Sequence, residues 1–206
     1  DLYDPFFLIV DVFGICIATR ADCIDDEFLE YLDKKSVLKE TWIELGLQSI
    51  HEDTMDLCNR CHNTQIVYDI IQKIKKTHIK CCVHIMNSLP YESKEKMIET
   101  AEWVAHSICD AIKVHMLHLI QGTQMANDYL KNPFPLLSKE EYIDIVVSQL
   151  EILPESMIIE RLTGDGIAND LITPDWTIKK TIVLNDIDKE MVKRNTWQGK
   201  YYKKNL

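Results

Sequence analysis

Apolar and polar positions fall along the chain in two kinds of block. Short apolar runs stand at 14–18 (G-I-C-I-A), 42–45 (W-I-E-L), 80–86 (K-C-C-V-H-I-M), 111–117 (A-I-K-V-H-M-L) and 157–160, and each reads as a strand. Between them apolar residues recur every three or four positions, the period of an amphipathic helix. Asp25 and Asp26 open one such helix, with Phe28, Leu29 and Leu32 on one face and acidic charge at the positive end of its dipole. Two follow the 42–45 run. The first takes its N-cap signal from Asp53 and Thr54, and the second is capped by Thr64 with Ile66, Val67, Ile70, Ile71 and Ile74 as its stripe. Further helices are expected over 93–107, near Thr123, from Ser138 with Tyr142, Ile143, Val146, Val147 and Leu150 turned inward, and over about 179–192. Residues 132–135 break the pattern, and Pro174 with Trp176 marks a loop.

Strand and helix alternating in this way predict an α/β fold with parallel strands. An open doubly wound sheet and a (β/α) barrel share the periodicity. All five strands end in polar residues, which favours the barrel, because an open sheet gathers its site mainly at one switch point. Five strands do not close a barrel, so the expected architecture is an incomplete (β/α) TIM-type barrel with exposed edges. With no internal repeat and no low-complexity linker, residues 1–170 form the partial barrel and 171–206 a helical extension of the same domain.

The bulk numbers add limits. At 206 residues, 46% hydrophobic and 27% charged, the chain suits one soluble domain with one core. A net charge of −10 argues against broad binding to nucleic acid or anionic membranes; the basic residues from Lys179 to Lys204 read as a solvated terminal face. The apolar run 6–18 is interrupted by Asp11, is too short for a membrane span and has no basic segment before it, so neither span nor signal peptide is expected. Seven cysteines, an odd number scattered through apolar segments, suit reduced thiols in the cytoplasm. The chain begins with Asp1, which leads to the expectation of a missing upstream segment.

If parallel strands aim their ends at one rim, the candidate site residues are Thr19, Arg20, Asp22, Gln48, Ser49, His51, His84, Asn87, His115, His118, Arg161 and Asp165. Capping and backbone satisfaction are the alternative for each. Four of these are histidines, which brings a metal site to mind, but spacing i, i+3 on a strand turns His115 and His118 to opposite faces, and no metal is expected. Cys58 and Cys61 have the C-x-x-C spacing of a redox or zinc half-site, with His62 and the Cys81–Cys82 pair as completions; a single such pair is a weak signal and fits structural thiols better. The segment R-L-T-G-D-G, 161–166, sets opposite charges beside two glycines, and is either a ligand loop or a plain turn.

Seven segments together resemble one known group, the YhcC/YtqA-like radical SAM proteins, relatives of coproporphyrinogen dehydrogenase and the Elongator catalytic subunit. They are I-A-T-R-A-D-C, W-I-E-L-G-L-Q-S-I-H-E-D-T, N-R-C-H, V-H-I-M-N-S-L-P, K-V-H-M-L-H-L-I-Q-G-T, R-L-T-G-D-G and W-Q-G-K-Y-Y, in the group's order from 14 to 202. The resemblance implies a partial radical SAM barrel, about strands 3 to 6, of an enzyme that uses a [4Fe–4S] cluster to cleave S-adenosylmethionine reductively and abstract hydrogen from a substrate it does not identify. It places Glu44, Gly46, Gln48 and Ser49 by the ribose and methionine part of the cofactor, and His84, Asn87, Leu89 and Pro90 by the adenine. Arg20, His115, His118, Arg161 and Asp165 fall on the substrate side.

The group's cysteine triplet follows its first barrel strand and has no counterpart in this sequence, so a fragment inactive by itself is expected. Three motifs depart from the group's pattern: G-T-R-P-D reads Ala18 to Asp22 with alanine first, N-R-G-H has Cys61, and G-L-P-G-E has Ser88 and Tyr91 at its glycines. Two alternatives stay open: a metal-dependent hydrolase barrel using His51, His84, His115 or His118, and a non-catalytic interaction remnant.

Overall fold

Five of the strands are parallel and lie side by side. A computed structural model describes residues 3–164 and 169–203. A short helix α1 (Asp4–Leu8) precedes β1 (Gly14–Thr19), α2 (Asp26–Ser36), β2 (Glu40–Gln48), α3 (Glu52–Leu57), α4 (Thr64–Ile74), β3 (Lys80–Asn87), α5 (Lys94–His106) and β4 (Ala111–Met116). Then come β5 (Leu119–Ile120), α6 (Gln124–Lys131), α7 (Lys139–Ile152), β6 (Ile158–Arg161), β7 (Leu171–Thr173) and α8 (Lys180–Lys193). The main sheet has the order β1-β2-β3-β4-β6, every pair parallel, which is the expected partial barrel. β5 and β7 form a separate antiparallel pair, too short for periodicity to reveal.

Helix starts follow side-chain chemistry. Asp25 accepts from the Phe28 backbone N–H at 2.7 Å, and Ser138 with Glu141 forms a reciprocal capping box at α7. Two expected caps shift by a short way. α4 is capped by Asn63, whose Oδ1 accepts from Ile66 N–H at 3.1 Å, and Thr64 is its first helical residue. α3 starts after His51 without a side-chain cap, because Thr54 is buried, turned inward and away from the helix start.

Along β2 buried and half-buried positions alternate: Thr41, Ile43, Leu45 and Leu47 face the helices, while Trp42, Glu44, Gly46 and Gln48 face the other way. Helices α2, α4, α5 and α7 cover the first face and build the main core with it, around Ile43, Val67, Ile71, Val83, Ile112 and Tyr142. The second face carries polar side chains and corresponds to a barrel interior. The carboxyl-terminal region is fastened to the body: Lys139 pairs with Asp186 at 2.7 Å, Arg194 with Asp144 at 2.5 Å, and Gly199 N–H donates to Leu150 at 3.0 Å. Among the described residues no helix is long and apolar enough to cross a membrane.

Candidate functional site

The carboxyl ends of the parallel strands form one rim, so Arg20, Gln48, Asn87, His118 and Arg161, which end β1, β2, β3, β4 and β6 or follow them closely, lie on the same side of the sheet. Asp165 lies outside the described residues. What each side chain does there differs.

At the end of β2 the pairing with β3 slips between Gly46 and Gln48, and Gln48 takes a left-handed backbone, φ 70°. Its amide thereby folds back over Gly46, where a Cβ would stand 2.8 Å from Gln48 Nε2 and 2.7 Å from Arg60 Nη2. A larger residue there would push both side-chain ends aside. Arg60 reaches in from the loop after α3, which turns at Asn59 (φ 52°) and Cys61 (φ 66°), and its Nη2 donates to Gly46 O. Gln48 Oε1, Arg60 Nε and His62 Nε2 are buried without a hydrogen-bond partner among the described residues. Burial, then the charge of Arg20, pulls the Arg60 pKa down, while Asp22 opposes. Asp22 itself is held by the Arg20 fork, with Nε 2.9 Å from Oδ1. The result, among the described residues, is a half-buried guanidinium that bonds to a carbonyl, beside an amide oxygen that lacks a donor.

A second group occupies the middle of the open face. Lys113 Nζ lies 2.6 Å from Glu44 and 3.2 Å from Glu160, and His84 Nε2 donates to Glu44 at 2.9 Å. Burial opposes the charge on Glu44, but Lys113 and His84 outweigh it and keep its pKa below the usual range. Burial likewise works against Lys113, and the two carboxylates reverse that, raising its pKa. His84 is lowered, by burial first and then by Lys113, even against Glu44, so at neutral pH it is an uncharged donor to a carboxylate. Its ring stacks on His115, centroids 5.3 Å apart. His115 is pushed down to about 4 by burial and then by the neighbouring His84, Arg161, Lys113 and His118.

The expectation that His115 and His118 point to opposite faces does not hold. β4 ends at Met116, so the two-residue alternation stops before His118, and both rings lie over Gly164: a Cβ there would be 3.0 Å from His118 Cε1 and 3.8 Å from His115 Nδ1. His51 lies elsewhere, against the Lys96 carbonyl and Glu99. Among the described residues no three His, Cys, Asp or Glu side chains gather as a metal-binding group.

Other expected contacts turn out to be occupied by the fold. The Asn87 amide exchanges two hydrogen bonds with Gln149, at 2.9 and 2.8 Å, in a buried pair. Ser49 donates to Glu92, whose pKa burial raises against that bond. Leu89 is buried in a second apolar cluster with Met55 and Leu117, and Pro90 lines a cavity at the rim. Residues that the pattern of strand ends overlooked are Arg60, His62, Lys113 and Glu160. Arg60 carried one signal, a cation in N-R-C-H with no acid within three residues on either side.

Comparison with known proteins bears on the whole chain. The model of the Radical SAM superfamily matches residues 3–104, and that of the Radical_SAM C-terminal domain matches 109–193. The chain is 41% identical over 202 residues to the uncharacterized protein YtqA of Bacillus subtilis, covering 98% of this chain and 63% of YtqA. It is 33% identical to MJ0486 of Methanocaldococcus jannaschii, covering 97% and 62%, and 28% identical to YhcC of Escherichia coli, covering 87% and 58%. It thus spans about three-fifths of the length of these curated relatives. Among solved structures, Elp3 of Methanocaldococcus infernus superposes with a TM-score of 0.79 at 23% identity, over 90% of this chain and 43% of that one. Coproporphyrinogen III oxidase of Escherichia coli gives 0.54 at 18%, over 65% and 30%.

Proposed function

This chain belongs to the radical SAM superfamily, and from that premise we propose that it forms the S-adenosylmethionine-binding and substrate-facing part of a radical SAM enzyme. One observation carries the reading: Gln48 Oε1 and Arg60 Nε, in two side chains that close over Gly46, are buried without partners among the described residues. A zwitterionic amino acid joined to a ribose suits that set. Arg60 is the cation for the carboxylate of the methionine part, and Gln48 Oε1 is the acceptor for a ribose hydroxyl. Gly46 keeps the strand open for both. Ser49, Asn87 and Leu89 shape the walls through Glu92, Gln149 and the apolar cluster. Glu44 and His84 stand beneath, and His115, His118 and Arg161 face the substrate. Arg60, Gln48 and Gly46 would hold S-adenosylmethionine, which, given one electron from the [4Fe–4S] cluster that the family uses, would supply the radical chemistry of hydrogen abstraction.

The described residues do not fit the [4Fe–4S] cluster that the family uses. Cys81, Cys82 and Cys109 are buried in the core, and no trio of His, Cys, Asp or Glu stands ready to bind metal. What this chain's residues do is confined to binding and orientation. Glu44, ionised and bonded to uncharged His84, fixes with Glu160 the position of Lys113 on the barrel side, and the low proton affinity of His115 keeps it neutral toward the substrate. Seven free cysteines support a cytoplasmic setting.

Calorimetric titration of the 206-residue chain with S-adenosylmethionine and with S-adenosylhomocysteine tests the reading. Saturable binding is expected, and Arg60→Gln weakens it by about tenfold to a hundredfold, as loss of a charged hydrogen bond does. Absence of saturable binding, or an Arg60→Gln variant with the affinity of the parent, overturns it.

A further inference from the structure

A cavity of about 470 Å³ opens at the rim between the loop after α3, the loop after β3 and helix α6. Tyr91, Tyr129, Phe134 and Met125 wall it. The Phe134 ring lies 5.1 Å from Tyr129, edge to face, and 5.9 Å from Tyr91. Phe134 forms the buried floor and belongs to the second apolar cluster, while Tyr91 is 62% exposed. Tyr91 also sits on left-handed backbone, φ 62°, a conformation that a bulky residue adopts at a cost. An exposed ring on such backbone gains little from burial, so packing does not account for its position.

Above the rings the edge of the cavity is polar but among the described residues carries no lysine or arginine: Asn59, Asn132 and Gln124 offer amides, and Asp128 a carboxylate that accepts from Gln124 at 2.9 Å. Amides present a donor and an acceptor side by side, the arrangement that matches the edge of a nucleobase. Aromatic faces bind such rings by stacking whatever their sequence. The missing cations and the net charge of −10 fit a ring without a phosphate chain. Asn59 lines this cavity and its neighbour Arg60 reaches Gly46, so one loop separates the cavity from the proposed cofactor site. A larger cavity, about 770 Å³, lies at the opposite ends of the strands, where Lys75 and Lys80 are already paired with Asp110 and Glu40.

We infer that the Tyr91–Tyr129–Phe134 cavity is a substrate subsite for a nucleobase, presented as a nucleoside or an equivalent neutral heteroaromatic group. It rests on the proposed function only for the statement that the ligand is the enzyme's substrate. In ¹³C-methyl methionine spectra of the 206-residue chain, with Met125→Leu identifying the reporter, at least one of adenosine, cytidine, guanosine and uridine should move the Met125 signal saturably. Tyr91→Gly, which relieves the backbone and so folds, should weaken that nucleoside by about tenfold, and Tyr91→Phe should leave it within about twofold. Benzyl alcohol, a ring without paired donor and acceptor, should not compete. The inference fails if no nucleoside saturates, if Tyr91→Gly binds as the parent does, or if benzyl alcohol competes equally. Displacement of the nucleoside by S-adenosylmethionine, together with weakening in Arg60→Gln, would make the cavity the cofactor's own ring site and overturn the substrate assignment. Nucleoside binding that survives in Arg60→Gln supports it, and loss of S-adenosylmethionine binding alone counts against the proposed function and not against the cavity. A single-stranded RNA oligonucleotide that binds more than about tenfold tighter than the nucleoside would overturn the exclusion of a phosphate chain.

Discussion

The two faces of the main sheet are made from the same strands and obey different physics. On the helix side Ile43, Leu45, Val83, Ile112 and Val114 are fully buried, and what decides their identity is apolar volume. On the other side the alternate positions of the same strands carry Glu44, His84, Lys113 and His115, and what decides these is where a charge or a ring nitrogen is needed. A parallel sheet covered on both faces would show apolar residues at both registers. Here the alternation is the record of a barrel interior, and the residues that break the hydrophobic run are the candidates for chemistry.

The largest test of that contrast is truncation on each side. Ile112→Ala should cost about 2 to 5 kcal/mol in urea unfolding, because the hole it leaves is closed in on every side. Ile158→Ala, on an isoleucine 48% exposed, should cost less than about 1 kcal/mol. Equal losses would remove the distinction between faces. Next comes the polar pair that bridges β3 and α7. Asn87→Ala leaves Gln149 short of a partner in a dry setting and should cost about 1 to 3 kcal/mol, while S-adenosylmethionine affinity stays within about threefold. A variant of ordinary stability that has lost the cofactor would instead put the Asn87 amide in the binding site.

A smaller effect depends on acid. The folded chain holds His115 down at about 4, so between there and its ordinary value near 6.5 the unfolded chain takes up a proton that the folded one refuses. The stability this confers is complete above about pH 6.5 and is lost as the pH falls toward 4. Urea midpoints at pH 7, 5.5 and 4.5 should fall more steeply in the parent than in His115→Asn, by about 1 to 2 kcal/mol after allowance for solvent screening at a partly open site. His84 is lowered too and acts in the same sense, so the variant keeps part of the slope. Glu44 also runs in that direction but at lower pH, since its depressed pKa is reached only below the usual carboxylate range. Parallel curves for parent and variant would mean that the open face is wetter than its geometry indicates.

The covered face was legible in the sequence because burial writes itself as period: the strands at 14, 42, 80 and 111 and the stripe of α4 follow from apolar spacing alone. Helix starts were legible where one side chain serves one backbone donor, as at Asp25, Ser93 and Ser138, whereas the caps read at Thr54 and Thr64 failed, Thr54 because it is buried and Thr64 because Asn63 takes that place. Asn87 and Ser49 were read as pointing outward from the strand ends, but whether a rim residue faces a ligand or a neighbouring helix depends on a tertiary partner, Gln149 or Glu92, that no local pattern reports. Arg60 was missed for the related reason that its importance comes from the bulge at Gly46 and Gln48, fourteen and twelve residues earlier in the chain. The alternation rule misled at His118 because the strand stops two residues before it.

The smallest effect concerns three of the four positions where the resembled group carries glycine, those that keep a left-handed backbone. Cys61, Ser88 and Tyr91 have φ of 66°, 69° and 62°, so the backbone keeps the left-handed turn although a Cβ now stands on it. Such a residue bears about 1 kcal/mol of strain, and glycine gives back part of the gain through the greater freedom of the unfolded chain. Cys61→Gly should therefore stabilise by about 0.5 kcal/mol in urea unfolding, since the thiol is exposed and bonds only to its own loop at Asn59. Tyr91→Gly should gain a similar amount less its contact with Phe134. Ser88→Gly should gain nothing, because the Ser88 hydroxyl accepts from Leu137 N–H at 3.1 Å and that bond is lost. The sign at Ser88 separates the two regions once more: it is the one of the three whose side chain the fold has put to use in its packing, whereas at Cys61 and Tyr91 the turn is held by the backbone alone and the side chain is left facing the rim. A destabilised Cys61→Gly variant would show that the thiol, and not the turn, orders the loop that delivers Arg60.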